Sequence, residues 1–313
     1  MKAKLKTIYY KLNKAKSRLL SGKPVLVAMY HRTSNEVRNE LQHLTVDLAN
    51  FEEQLCYFKK NYQILRLSDD WSSLKKTGIV ITFDDGYADN LLNALPLLEK
   101  YQIPATIFIT TLNIDSKKEF WWDRLVFDYS HCKPSFYLPD VKEKVSKNTH
   151  TYGDINHFLG KLSNEKKEIW LLEFENLNKI PFFDNENFRS LSNEELKYIS
   201  EHPLIDIGIH THNHYSFGNL SYQEHKEELS FSIGKLNELI TKSIQYLALP
   251  HGSYNEETLK VVEELDCLGM LLANNNYSNY KNKLGKKINR ILIPNIKGEE
   301  LIKYMNKFDF KIW

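Results

Sequence analysis

The sequence predicts an α/β fold, a barrel of parallel strands carrying a mostly helical insertion. Three observations carry that prediction. Short β-type runs alternate with segments of helical periodicity, the pattern of parallel strands joined by crossover helices. Runs such as 79–83 and 106–109 are apolar almost throughout, as strands covered on both faces are. Four runs end in polar, chemistry-bearing residues: Tyr30-His31, Asp84-Asp85, His210-Thr211 and Pro250-His251-Gly252. In a parallel barrel such ends share one face, where active sites are built.

Taken in order, residues 1–23 come first. Lys2, Lys4, Lys6, Lys11, Lys14, Lys16, Arg18 and Lys23 all precede the first acid, Glu36, and Leu5, Ile8, Tyr9, Leu12, Leu19 and Leu20 recur among them at helical spacing. This predicts a basic amphipathic helix that either lies on an anionic membrane surface or packs on the domain with a solvated basic face. The lysines interrupt any apolar core of a secretory signal, and no stretch reaches the ~20 apolar residues of a membrane span. The barrel is expected over 24–112 and 201–313, with strand-type runs at 25–30, 64–67, 79–83, 105–110, 204–209, 244–249 and 269–273. Helical patterns at 51–60, 90–101, 222–241 and 256–265 lie between them. Residues 113–200 break the alternation and are read as a helical, aromatic-rich insertion over the same barrel face. There Trp121 and Trp122 either stack on sugar rings or anchor the insertion.

Composition narrows the function. With 313 residues, 42% hydrophobic and 12% aromatic, the chain has enough apolar material for a sizeable core. A formal net charge of +2 gives no general argument for nucleic-acid binding. Three scattered cysteines, Cys56, Cys132 and Cys267, support neither a disulfide framework nor a thiolate metal site, and read as reduced thiols of a cytoplasmic protein.

The chemistry concentrates in Thr82-Phe83-Asp84-Asp85-Gly86 and His210-Thr211-His212-Asn213-His214. One carboxylate and two imidazoles form a facial ligand set for a divalent metal, with positions open for water and substrate. The second aspartate remains as a general base, which outlines a hydrolytic site.

These two motifs, T-F-D-D-G and H-[ST]-x-x-H, resemble those of the polysaccharide deacetylases, the NodB-homology carbohydrate esterases. The resemblance covers roughly residues 24–110 and 200–300. It implies a distorted (β/α) barrel and metal-dependent removal of acetyl groups from sugars. It also implies that Asp85, His210 and His214 bind the metal and that Asp84 is the general base. The family's third motif, R-x-P-Y-G, corresponds to Ala248-Leu249-Pro250-His251-Gly252, without the arginine that orients the base; a backbone N–H of His251 can still serve the oxyanion. The family's C-terminal L-x-H corresponds to Ile291-Leu292-Ile293, without histidine. The early Met29-Tyr30-His31 resembles the M-Y-H of poly-N-acetylglucosamine deacetylases, so His31 is expected as general acid, with His251 second. Tyr30, Pro250, Trp121 and Trp122 are expected substrate contacts, and His212 is left outside the site.

The resulting expectation is a metal-dependent hydrolase removing N-acetyl groups from a sugar of a glycan or glycan precursor. Zinc stands first, with nickel, cobalt and iron also suited to the ligands. The setting is cytoplasmic, at the inner membrane surface if residues 1–23 bind there, and the substrate is then lipid- or nucleotide-linked. The rivals are a deformylase, an O-acetyl esterase and a non-catalytic carbohydrate-binding member of the family.

Overall fold

The computed structural model of the protein describes residues 22–36, 38–181, 188–265 and 267–308. The amphipathic helix expected over residues 1–23 lies outside them, apart from Gly22 and Lys23. Among the described residues, no helix is long and apolar enough to cross a membrane.

Among the described residues, eight of the nine strands of the central sheet form one path: β1 (Val25–Tyr30), β2 (Gly78–Phe83), β3 (Ala105–Ile109), β4 (Ile205–Ile209), β5 (Tyr246–Ala248), β6 (Gly269–Leu272), β7 (Lys287–Asn289) and β8 (Ile291–Leu292), while the short strand Gln63–Ile64 pairs with β2 off that path. Neighbours along the chain are neighbours in the sheet from β1 to β7, and β8 returns to pair with β1. Every one of these pairings is parallel. Because only Arg290 separates β7 from β8, the two ends of the sheet meet and the barrel is nearly closed. This is the expected (β/α) barrel.

The helices follow the same logic. Helix α1 (Leu48–Asn61) starts on Asp47, whose carboxylate caps the amide of Asn50, and α2 (Leu95–Tyr101) continues a π-helical turn. Between β3 and β4 stand α3 (Trp121–His131), a small antiparallel hairpin (Ser135–Tyr137 with Lys144–Ser146), α4 (Tyr152–Leu159), α5 (Asn164–Asn178) and α6 (Asn193–Glu201). These enclose their own core of Leu125, Phe136, Leu159, Trp170 and Phe174. The crossovers are completed by α7 (Tyr222–Leu239) and α8 (Glu256–Glu264), both opened by capping boxes.

Strand alternation sorts side chains between two cores. Leu26, Ala28 and Tyr30 of β1, with Ile79, Ile81 and Phe83 of β2, pack outward against Phe51, Leu55 and Phe58 of α1. Val25, Val27, Val80, Phe108, Ala248, Leu271 and Ile288 fill the lumen over Trp71. Gly208 belongs to this inner set, and a Cβ there would meet the Phe108 ring at 2.4 Å. The same parity, carried one step past each strand end, turns His31, Asp84, His210 and Arg290 inward together.

Candidate metal centre and catalytic cavity

After β2 the chain turns through Asp84, Asp85 and Gly86. Asp85 and Gly86 both take left-handed backbone, with φ of 73° and 83°, and a Cβ on Gly86 would stand 2.9 Å from the Ile109 side chain. After β4, Thr211 (φ 65°) and His214 (φ 57°) do the same. Such backbone in non-glycine residues is costly and persists where surrounding bonds fix it. Here the Thr211 hydroxyl accepts the His214 amide at 3.1 Å, and the Glu228 carboxylate of α7 accepts the amides of His212 and Asn213 at 3.1 and 2.8 Å.

The result brings three donor atoms together. The Nε2 atoms of His210 and His214 lie 3.3 and 3.2 Å from Oδ1 of Asp85, and the three residues' ligand atoms lie within 4.8 Å of one another. Nδ1 of His210 donates to the Ala248 carbonyl at 3.0 Å, which fixes the tautomer and leaves Nε2 as a ligand. Asp85 Oδ1 is buried and receives no hydrogen bond. An orphaned carboxylate oxygen facing two imidazole nitrogens fits a divalent cation.

Asp84 is held differently. Both its oxygens accept from Arg290, at 2.6 Å from Nη1 and 2.8 Å from Nη2, and both residues are buried. Burial pushes the Asp84 carboxyl up, but the guanidinium and His210 outweigh it and hold it below the usual carboxylate range. The support that the sequence reading found missing from the third motif is thus present, supplied from the junction of β7 and β8. Nothing in the motif comparison pointed to Arg290. Its available signal was being the only charge in the run Ile288-Asn289-Arg290-Ile291-Leu292-Ile293.

A cavity of about 580 Å³ opens over these groups, lined also by His31, His251, Leu249, Leu292, Trp121 and Trp122. His251 (φ 57°) sets its ring 5.0 Å from that of His214, and burial with the two neighbouring imidazoles lowers its pKa to about 4. Burial holds the His31 pKa below the usual imidazole value against the opposing charges of Asp85 and Asp84, and its Nδ1 is buried without a partner.

The tryptophans divide their tasks. Trp121 is half-buried at the cavity wall. Trp122 is buried, stacks on Phe120 at 4.7 Å and packs its ring 4.7 Å from that of His214. Its indole N–H donates to the Tyr87 hydroxyl at 2.8 Å, which itself donates to Asp123 at 2.7 Å; Asp123 pairs with buried Arg32. Tyr87 and Glu228 were also invisible as site residues in the sequence, since neither lies in a motif.

Two expected substrate contacts lie elsewhere. Tyr30 faces the outer core, donating to Gln54 Oε1 at 2.8 Å and packing on Phe51 and Phe83, because strand parity turns it away from the lumen. Pro250 is buried in a 3-10 turn and does not line the cavity. His212 points away from the centre, with Nδ1 on the Thr111 hydroxyl at 2.9 Å and its ring against Phe231.

Comparison with known proteins agrees with this geometry. Residues 72–269 match the family model described as polysaccharide deacetylase. YxkH of Bacillus subtilis (strain 168), named for the same family, is 24% identical over 246 residues; the match covers 76% of this chain and 60% of that protein's length. The fold resembles the deacetylase PplD of Streptococcus pyogenes, solved with acetate, at 21% identity and a TM-score of 0.59, covering 91% of this chain and 99% of that one. It also resembles IcaB of Ammonifex degensii, at 15% identity and a TM-score of 0.57, covering 87% and 93%.

Proposed function

Because the chain belongs to the polysaccharide deacetylase family, we propose that it is a metal-dependent hydrolase that removes N-acetyl groups from a sugar in a glycan or glycan precursor. The observation that carries the reading is an ionised, Arg290-paired Asp84 beside the Asp85–His210–His214 ligand set.

Asp85, His210 and His214 would hold the cation, zinc first among those their donor atoms suit. When bound, such a cation acts as a Lewis acid, lowering the pKa of water and polarising a carbonyl. The rest falls to side chains. Asp84 takes the proton of the attacking water as that water adds to the acetyl carbon. The backbone N–H of His251 donates to the developing oxyanion. The C–N bond then breaks, and His31 protonates the departing amine, giving acetate and a free amino sugar. Burial lowers the pKa of both imidazoles, His251 to about 4; Asp85 and Asp84 beside His31 oppose that fall and favour its protonated form, which supports His31 as the acid.

The apolar and aromatic lining of the cavity supports a sugar with its acyl methyl buried. The basic pattern of residues 1–23 supports a setting at an anionic membrane surface, where lipid-linked precursors lie; sedimentation with anionic vesicles tests that setting. Acetate and formate release from N-acylated sugars, with and without added metal, tests the reaction. Metal-dependent acetate is the expected product, and formate would assign a deformylase instead.

A further inference from the structure

His31 stands where β1 leaves the central sheet. The His210 ring is fixed through its Nδ1 to the Ala248 carbonyl, but Nδ1 of His31 is buried and holds no partner. A group that transfers a proton must lie within about 2.6–3.2 Å of the atom receiving it. With no bond at Nδ1 to set the ring, the position of the His31 imidazole depends on how its backbone is held.

That backbone is gripped from the chain segment that also carries Asp84 and Asp85. Just past β2 the segment enters a π-helical turn, Asn90–Ala94, led by Asp89. Asn90 Nδ2 donates to the His31 carbonyl at 2.9 Å and to Asp89 Oδ1 at 2.9 Å. Asp89 Oδ2 accepts the Thr33 amide at 3.1 Å, and Asn93 Nδ2 donates to the Thr33 carbonyl at 2.8 Å. On the other side of His31, the Asp84 amide donates to the Tyr30 carbonyl at 2.9 Å. The strand after His31 has little other support, since Arg32–Thr33 pairs with Thr45–Val46 over two residues only.

Two further observations set these side chains apart from ordinary loop polarity. Asp89 and Asn90 are each 1% accessible, so their bonds are made away from water. A π turn is a rare conformation, met mostly as a single turn and often at functional sites. Here it is the turn on which Asn90 and Asn93 stand, and both amides reach the same strand. None of the three side chains lines the cavity over the metal ligands, so they act on the reaction only through what they hold.

We propose that Asp89, Asn90 and Asn93 are positioning residues that clamp His31 in place. One segment, residues 84–93, then sets the base, a metal ligand and the acid against one another. The inference rests on the reading of His31 as the acid that protonates the departing amine.

The test is a double-mutant cycle on acetate release from N-acetylglucosamine oligomers, at equal metal content. Asn90→Ala removes the donor to the His31 carbonyl. Asn93→Ala, at a half-buried position, loosens Thr33 with less risk to folding. The acid acts as the C–N bond breaks, so kcat should fall by about ten- to a hundredfold in Asn90→Ala and about fivefold in Asn93→Ala, with KM within about twofold. Misplacing an acid has no effect once the acid is gone. In a His31→Ala background each substitution should therefore change kcat by less than about twofold. Equal losses with and without His31, as a merely structural role gives, would overturn the clamp. So would wild-type kcat in both single variants while His31→Ala is impaired. Wild-type kcat in His31→Ala, or no acetate from the wild type, would instead reject the reading on which the clamp rests.

Discussion

At the scale of residues, Asp84 lies in the barrel lumen with a guanidinium on both its oxygens, and its ionisation depends on that pairing. Replacing Arg290 by methionine leaves a buried carboxylate without its counter-charge, which costs about 3–5 kcal/mol of stability by the general cost of breaking buried pairs. The sign of the catalytic effect follows from the same pairing. Loss of the cation raises the Asp84 pKa, so the acid limb of the kcat/KM profile moves to higher pH, and kcat at neutral pH falls by about ten- to a hundredfold. Metal content stays that of the wild type, because the ligand set is untouched, and Arg290→Lys recovers part of the rate. His214→Ala has the opposite signature: metal analysis after dialysis finds the ion lost, while Asp84 keeps its pairing. The motif residues were legible because their chemistry is written in their spacing. Arg290 was not, because its partner lies some two hundred residues away and only strand parity and barrel closure join them.

At the scale of elements, the segment between β3 and β4 reaches into the metal centre through one short chain of contacts: Arg32, Asp123, Tyr87, Trp122 and then the ring of His214. Tyr87→Phe removes one hydroxyl and strips partners from a buried indole N–H and a buried carboxylate. The expected cost is about 1–3 kcal/mol of stability by denaturant unfolding. Metal affinity, measured in competition with a chelator, should fall by about tenfold or more, as it does when groups orienting ligands are lost. Unchanged metal affinity would reduce this chain to a structural anchor. Most barrel strands were legible in the sequence because they are buried on both faces and read as apolar runs. The final strand was not: β7 and β8 are three and two residues long, carry Lys287 and Asn289, and are split by Arg290.

For the whole molecule, the interior holds carboxyl groups shifted in opposite directions, and stability should follow pH accordingly. Burial and nearby charge push Asp89 and Asp128 up to about 8 and Asp123 up to about 6. Their unfolded-state values are lower, so the folded protein retains protons that the unfolded chain releases, and the contribution of these three groups to stability falls as pH rises from about 4 towards 8. Asp84 and Asp85 are shifted downward, so their contribution is present above about pH 4 and is lost as pH falls through their folded values. Buried histidines with lowered pKa, His251 among them, act in the opposite direction over the same window, so the test is a difference between two proteins: metal-free Asp128→Asn should gain melting temperature relative to the wild type as pH rises from about 5.5 to about 8. A difference between the two that does not change with pH would contradict the assignment.

The central claim is that Asp84 works beside the Asp85–His210–His214 centre to hydrolyse an acylated amino sugar. Its most direct test is acetate release from N-acetylglucosamine oligomers by metal-loaded wild type and by Asp84→Asn at equal metal content. The account predicts metal-dependent acetate from the wild type and almost none from the variant. Equal release from the two proteins, or none from a fully metal-loaded wild type, would contradict it.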